Sequence, residues 1–345
     1  MKRQLILIGL SLILIPALYA QEANKIQKIK EAFLSENFRL SGYGQIIYTV
    51  TEHPEGNNSN NSIDLARAVL FAAGKLGDKN QFGYMLMYDF GPNAMLHELY
   101  GEWTPSKSAN LRVGQYKIPF TLENPMSPTR IETINSSRSV SVMSGSTGDI
   151  NQFDRDGNSI GSKAGRDAGV QLYGFLFPKN DFFQLEYYAG LFNGTGLNTK
   201  DIDNHKDFVG TAYWQPIKGL RMGGSIYAGK LYDHTRDRWA VGIEYKGEHF
   251  YGRTEYISAN DGDLKRKGYY GSLVWKLVPD QWEIVGKYDF YNNDISLNDN
   301  GSHDVTSGVN YYFATLSRIQ LNYVYSNNFF KGKNNTLLAQ LQLFF

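Results

Sequence analysis

From Phe38 to Phe345 the chain alternates apolar and polar residues with a period of two, in segments of about ten residues. Trp239, Val241, Ile243 and Tyr245 alternate with Arg238, Ala240, Gly242 and Glu244; Ile319, Leu321, Tyr323 and Tyr325 alternate with Arg318, Gln320 and Asn322. Side chains of a strand point alternately to opposite faces, so each set occupies one face. One face is apolar and the other charged. A dry interior would charge several kcal/mol for each unpaired Arg, Glu or Lys, by typical estimates. The conflict disappears if the apolar face meets lipid and the charged face lines water. Sixteen such segments can be read: 38–50, 63–77, 80–90, 94–104, 108–118, 167–177, 181–192, 206–214, 219–229, 236–246, 248–258, 267–276, 281–291, 303–313, 317–326 and 335–345. The expected fold class is all-β, a transmembrane antiparallel β-barrel of about sixteen strands, wide enough for an aqueous channel.

The links between segments support this. Gly77-Asp78-Lys79, Pro178-Lys179-Asn180 and Lys246-Gly247-Glu248 are short turns, whereas 51–62 and 292–302 are longer and rich in Asn, Asp and Gly. Short periplasmic turns and long outer loops are the pattern of outer-membrane barrels. The longest link runs from about Pro119 to Arg166. A link of that length inside a compact domain is uncommon unless it has a task. It is expected to fold into the lumen and narrow it.

The ends add a compartment. Lys2 and Arg3, the apolar run Leu5–Ile15 and the small Ala20 form a secretory leader, which places a signal peptide at 1–20. Ile26, Ile29, Phe33 and Leu34 recur at helical spacing, so 21–37 is expected to be a short helical lead-in on the periplasmic side, with the barrel domain at 38–345. The chain closes on an alternating strand with a terminal Phe345, the usual mark of an outer-membrane barrel's last strand. There is no cysteine, which excludes a disulfide framework and a lipoprotein anchor. The 24 Tyr and 20 Phe suit aromatic belts at two membrane interfaces.

Removing Lys2 and Arg3 with the leader leaves 33 basic against 34 acidic side chains. That balance argues against a nucleic-acid binder and against a uniformly positive pore. No cofactor and no metal site is expected. The six histidines show no zinc spacing. Gly157–Gly161 matches G-x-S-x-G without the strand and helix that pattern needs, and Gly224–Lys230 lacks the Ser or Thr that would hold Mg²⁺. Asp154–Asn158 has calcium-type oxygens but lacks a closing Glu. Arg67, Arg112, Arg221, Arg238, Arg253, Lys287 and Arg318 fall on the polar face. Either they attract anions or they pair with Glu98, Glu186, Glu244, Glu255, Glu283 and Asp289 and set only a transverse field.

Four stretches carry a resemblance: Leu65-Ala66-Arg67-Ala68, Tyr88-Asp89-Phe90, Leu111 to Glu123 with its V-G-Q-Y-K-I-P-F core, and Ser136-Ser137-Arg138-Ser139. With them the chain resembles the phosphate-selective porins O and P of Gram-negative outer membranes. The resemblance implies a sixteen-stranded barrel, a homotrimer with one pore per subunit, and a constriction set by an inward loop after the fifth strand. Surroundings of outer-membrane lipid and lipopolysaccharide follow, with small hydrophilic or anionic solutes as cargo. The family's phosphate ligands carry over in part. Of two adjacent arginines on the second strand, Arg67 matches one and Ala66 stands at the other. An acid on the fourth strand corresponds to His97, with Glu98 beside it. A lysine early in the loop falls at Asn124, near Arg130, and a first-strand arginine falls near Tyr43. Arg67, Arg112, Arg130, Arg138 and His97 are therefore the expected constriction and anion-binding residues. The expected function is passive diffusion of small hydrophilic solutes, phosphate among the anions considered. The rivals are an outer-membrane barrel enzyme of protease or lipase type, which needs a Ser/His/Asp cluster near a rim, and a non-conducting adhesin or structural barrel.

Overall fold

The computed structural model describes residues 37–52, 60–77, 81–92, 94–144, 165–201, 204–231, 234–298, 300–328 and 332–345. The expected signal peptide at 1–20, all but the last residue of the expected lead-in at 21–37, and the two loop motifs at 154–161 lie outside the described residues. Sixteen strands form one closed antiparallel barrel: β1 (Arg39–Glu52), β2 (Asn60–Leu76), β3 (Phe82–Asp89), β4 (Met95–Trp103), β5 (Asn110–Lys117), β6 (Arg166–Lys179), β7 (Phe182–Phe192), β8 (Asp207–Ile217), β9 (Leu220–Leu231), β10 (His234–Lys246), β11 (Phe250–Asp261), β12 (Leu264–Val278), β13 (Trp282–Asn292), β14 (Gly301–Ala314), β15 (Ser317–Asn328) and β16 (Gly332–Phe344). Each strand pairs with its sequence neighbours, and β1 closes on β16 from Tyr43↔Phe344 to Glu52↔Asn335. The last residue completes the seam: Gly42 N donates to Phe345 O at 2.8 Å and Phe345 N to Gly42 O at 3.0 Å. Closure leaves no unpaired edge, which the interior of a bilayer demands.

The burial pattern is that of a barrel turned inside out. Ile226, Trp239, Val241 and Leu273 are exposed, while Arg236, Arg253, Glu255 and Gln340 are buried. Exposed aromatics gather in two belts. Trp103, Trp214, Phe250, Trp275 and Trp282 sit at the strand ends beside the short turns, and Phe208, Trp239, Tyr269, Tyr288 and Tyr325 sit nearer the opposite rim. Amphipathic rings at both interfaces bracket the apolar band that faces acyl chains.

All sixteen expected segments are strands, with ends that differ by a few residues. Two differences have a plain cause. The expected β6 and β8 stop short of Pro178 and Pro216, yet β6 runs to Lys179 and β8 to Ile217. Both prolines stand beside irregularities that need no ladder donor. Phe177 takes a positive φ of 55°, and the β8–β9 register shifts between Trp214 and Ile217. Proline is tolerated at such places.

Candidate functional site: the lumen constriction

After β5 the chain turns inward instead of pairing onward. Lys117 Nζ, at the end of β5, donates to Asn124 O at 2.8 Å and to Met126 O, pulling the following turn across its own strand end. Asn124 Nδ2 donates to Ile118 O at 2.9 Å and Gly165 O at 3.1 Å, tying departure to return. Thr121 takes a positive φ of 69°, and its N–H donates to Ser225 Oγ on β9 at 3.0 Å. Leu122 N donates to Glu255 Oε1 on β11 at 2.8 Å.

Beyond that turn the loop crosses the barrel. Side chains of the far wall grip its carbonyls. Arg318 Nη2 donates to Ile131 O at 2.7 Å, Gln320 Nε2 and Asn310 Nδ2 to Glu132 O at 3.1 and 3.0 Å, and Lys287 Nζ to Asn135 O at 2.7 Å. A short helix, α1 (Arg138–Ser144), brings the chain back towards β10, where Arg238 Nη1 donates to Met143 O at 2.5 Å. Phe120, Val140, Val142 and Met143 form an apolar core with Val209, Tyr227, Ile257 and Tyr270 of the wall. Water-filled barrels have no core of their own; here the loop supplies one. Its polar clasp is Arg253 on β11, whose Nη2 lies 3.1 Å from Glu123 Oε2 and 3.0 Å from Glu132 Oε2, with all three side chains buried. The loop thus covers inner-wall residues on strands from β8 to β16. Arg67 on β2, Glu98 on β4, Arg112 on β5 and Glu186 on β7 stay partly exposed.

The five expected site residues meet different fates. Arg67 stands on β2 where the register shifts from Gln45↔Arg67 to Ile46↔Leu65, which leaves Ala66 as the extra residue of a bulge. Its Nη1 donates to Gln45 Oε1 at 2.8 Å, and it has no carboxylate partner among the described residues. His97 is likewise the extra residue of a bulge on β4, since Met87 pairs with Glu98 and Tyr88 with Leu96. Its Nε2 lies 4.0 Å from Asp89 Oδ2, and Arg67, Arg166 and Lys117 are near enough for their charges to bear on its ring. Arg130 ends a 3-10 turn, Pro128–Arg130, and is exposed. It lines a cavity of about 640 Å³ beneath the loop with Glu132, Lys246, Lys276, Asp280 and Glu283, and has no ion pair among the described residues.

Arg112 and Arg138 are engaged otherwise. Arg112 lies directly opposite Glu102, with Nη2 2.9 Å from Oε2, and its guanidinium sits 4.4 Å over the Tyr100 ring. Arg138 fixes the loop: its N–H donates to Asp289 and its Nε to Asp304 Oδ2 at 2.8 Å. Neither cation is free for a solute. The pairing alternative raised by the sequence describes much of the wall, since Arg166 meets Glu98 at 3.0 Å and Arg221 meets Glu186 at 3.1 Å and Glu244 at 3.3 Å. The Arg253 clasp escaped the sequence reading, although Glu123 and Glu132 in a link rich in opposite charges were its trace. The described residues contain no group of three or more His, Asp or Glu placed to hold a metal.

Comparison with known proteins follows the same line. A family profile described as "Phosphate-selective porin O and P" matches residues 38–238 and 225–343. The barrel is similar to the anion-selective porin from Comamonas acidovorans, with a TM-score of 0.66 at 13% identity over 90% of this chain and 99% of that one. It is similar to outer-membrane expressed OmpT of Vibrio cholerae (TM-score 0.61, 12% identity, 90% and 99% covered). It is also similar to the outer membrane channel DcaP of Acinetobacter baumannii (TM-score 0.55, 13% identity, 89% and 97% covered). At such identities the likeness is one of fold. No curated protein matches the chain.

Proposed function

This chain belongs to the phosphate-selective porin O and P family, and we propose that its lumen passes small hydrophilic solutes with a modest preference for anions, set by Arg67 and Arg130. The porin fold and the family make it an outer-membrane channel for passive diffusion. The observation that carries the anion preference is Arg67, a half-exposed lumen guanidinium with no carboxylate partner among the described residues. Unpaired charge at a narrowing is what lets a wide pore choose ion sign. Arg130 adds a second unpaired cation on the loop. His97 tunes the field around Arg67, while Arg112 and Arg138 hold the wall and the loop in shape.

A narrow phosphate filter is the lesser reading. It calls for several convergent donors, and Ala66 and His97 stand at two of the positions where the family's ligands fall. The proposal extends to export with cleavage after Ala20 and to a homotrimer in a lipopolysaccharide-bearing membrane, on family likeness. The family and the structural likenesses are those of channels rather than enzymes. The test is the reversal potential of the reconstituted protein across a KCl gradient, with and without phosphate. A small potential on the anion side, unchanged by phosphate, is expected. A cation-side potential would overturn the anion reading, and block by millimolar phosphate would restore the filter.

A further inference from the structure

The lipid-facing rim of β12 to β16 carries cations that conduction does not use. Lys265 and Lys267 on β12, His303 on β14 and Lys333 on β16 share the outward face of the exposed Tyr269, Val305 and Leu337. This end of the barrel bears the long links, that between Asn292 and Gly301 among them, and so faces the cell exterior. Register places Tyr269, Phe290, His303, Asn327 and Lys333 in one row across five strands. Lys267 stands two residues, about 7 Å, beyond that row towards the rim, and Lys265 two further. The row begins as an aromatic block. Tyr269 stacks on Phe290 at 4.9 Å and 29°, and Phe290 lies 4.9 Å from the His303 ring. The Tyr288 hydroxyl lies 2.6 Å from His303 Nδ1. With that hydroxyl donating, the imidazole keeps its proton on Nε2 as a donor.

The lysines hold their charge unspent. Lys265 and Lys333 are exposed and Lys267 half-exposed, and none has an ion pair or a hydrogen bond from Nζ among the described residues. Lys206, just before β8, is paired with Asp201 instead. The exposed acids described nearby stand to the sides. Asp237 is two strands from Lys265 along the row Asp237↔Asn260↔Lys265, Asp263 lies in the β11–β12 turn, and Glu52 ends β1 beyond β16.

We propose that this rim binds the phosphorylated glycolipid of the outer leaflet, with Lys265 and Lys267 on a sugar phosphate and the Tyr269–Phe290–His303 block against the boundary between sugar and acyl chain; the inference rests on the outer-membrane reading above. An aromatic belt marks the level where acyl chains give way to headgroups. Cations set just beyond it lie at the level of headgroup phosphates. Long lysine stems cover apolar surface while their heads reach the charge. Each lysine beside an anionic membrane surface strengthens binding roughly fivefold.

The experiment titrates the folded channel in neutral detergent with diphosphoryl lipid A, with dephosphorylated lipid A and with phosphatidylglycerol, and counts bound lipid by native mass spectrometry. It compares wild type with Lys267→Gln, with Lys265→Gln/Lys267→Gln, and with Lys206→Gln as the paired-lysine control. The heat-dependent gel shift checks folding. Diphosphoryl lipid A is expected to bind tightest. Its affinity should fall about fivefold in Lys267→Gln and about twentyfold in the double variant, with no change in Lys206→Gln or in single-channel conductance. Equal binding by wild type and the double variant overturns this inference alone. So does binding that survives removal of the phosphates, or phosphatidylglycerol bound as tightly as lipid A. A double variant that loses its oligomeric state would make the rim an interface between copies and overturn it too. Folded wild type that does not conduct overturns the porin reading and leaves the lipid measurement standing.

Discussion

Arg67 and Arg112 are the same side chain placed on the same inner wall, and their neighbours give them opposite tasks. Arg67 meets an amide, Gln45, and keeps its charge for the lumen. Arg112 meets Glu102 and three tyrosine rings and gives its charge away. Two unit charges about 4 Å apart in water interact by roughly 1 kcal/mol, a factor of about five in an equilibrium. Arg67→Glu is therefore expected to lower the anion-to-cation permeability ratio several-fold and move the reversal potential towards the cation side, with little change in thermal stability. Arg112→Gln combined with Glu102→Gln is expected to do the reverse. It should leave selectivity nearly as it was, since no net charge is lost, and destabilise the folded barrel by about 1–2 kcal/mol, because the Tyr100, Tyr116 and Tyr173 rings lose the guanidinium beside them. Denaturant titration monitored by gel shift separates the two. Which arginine is which was not legible in the sequence. Arg112 faces Glu102 only through the β4–β5 register, and Arg67 faces Gln45 only through the bulge at Ala66. Those pairings join neighbouring strands at separations of 10 and 22 residues, set by turn length and bulge, and leave no period behind.

The strands themselves were legible because a period of two is written into each one, and burial on one face enforces it. The inward loop was legible only as an unusual length. Its path depends on single side chains reaching from distant strands, Arg318 to Ile131 O and Lys287 to Asn135 O among them. The Arg253 clasp has the clearest energetic meaning. Breaking a buried pair by removing one partner costs about 3–5 kcal/mol, because the remaining charges stay buried. Arg253→Met leaves Glu123 and Glu132 facing each other, so the loop is expected to detach. The barrel should stay folded, since residue 253 pairs with Glu244 and Ser272 through backbone groups that the substitution leaves in place. Single-channel recordings should then show larger and noisier conductance, and limited proteolysis should cut the loop faster than in wild type. A quiet channel of unchanged conductance would mean that the apolar core around Phe120 and Met143 holds the loop without the clasp.

At the scale of the molecule the organising fact is the inversion of inside and outside. The chain has a mean hydropathy of −0.40 and no helix among the described residues long and apolar enough to cross a membrane, yet it presents a continuous apolar surface by turning every second residue outward. Lipid-facing and lumen-facing substitutions at adjacent positions should thus separate cleanly. Ile226→Arg, on the lipid face of β9, is expected to cost about 2–4 kcal/mol of folding stability in bilayers and to leave ion selectivity alone. The same reasoning ties the fold to its function. A wall of paired charges around a space only partly filled by one loop has to be wet, and a wet barrel across a membrane conducts. The most direct test is the single-channel conductance of the refolded protein in a planar bilayer over a series of KCl concentrations. Discrete steps that rise in proportion to bulk conductivity are predicted. Correctly folded, inserted protein that gives no steps at any concentration would contradict the account.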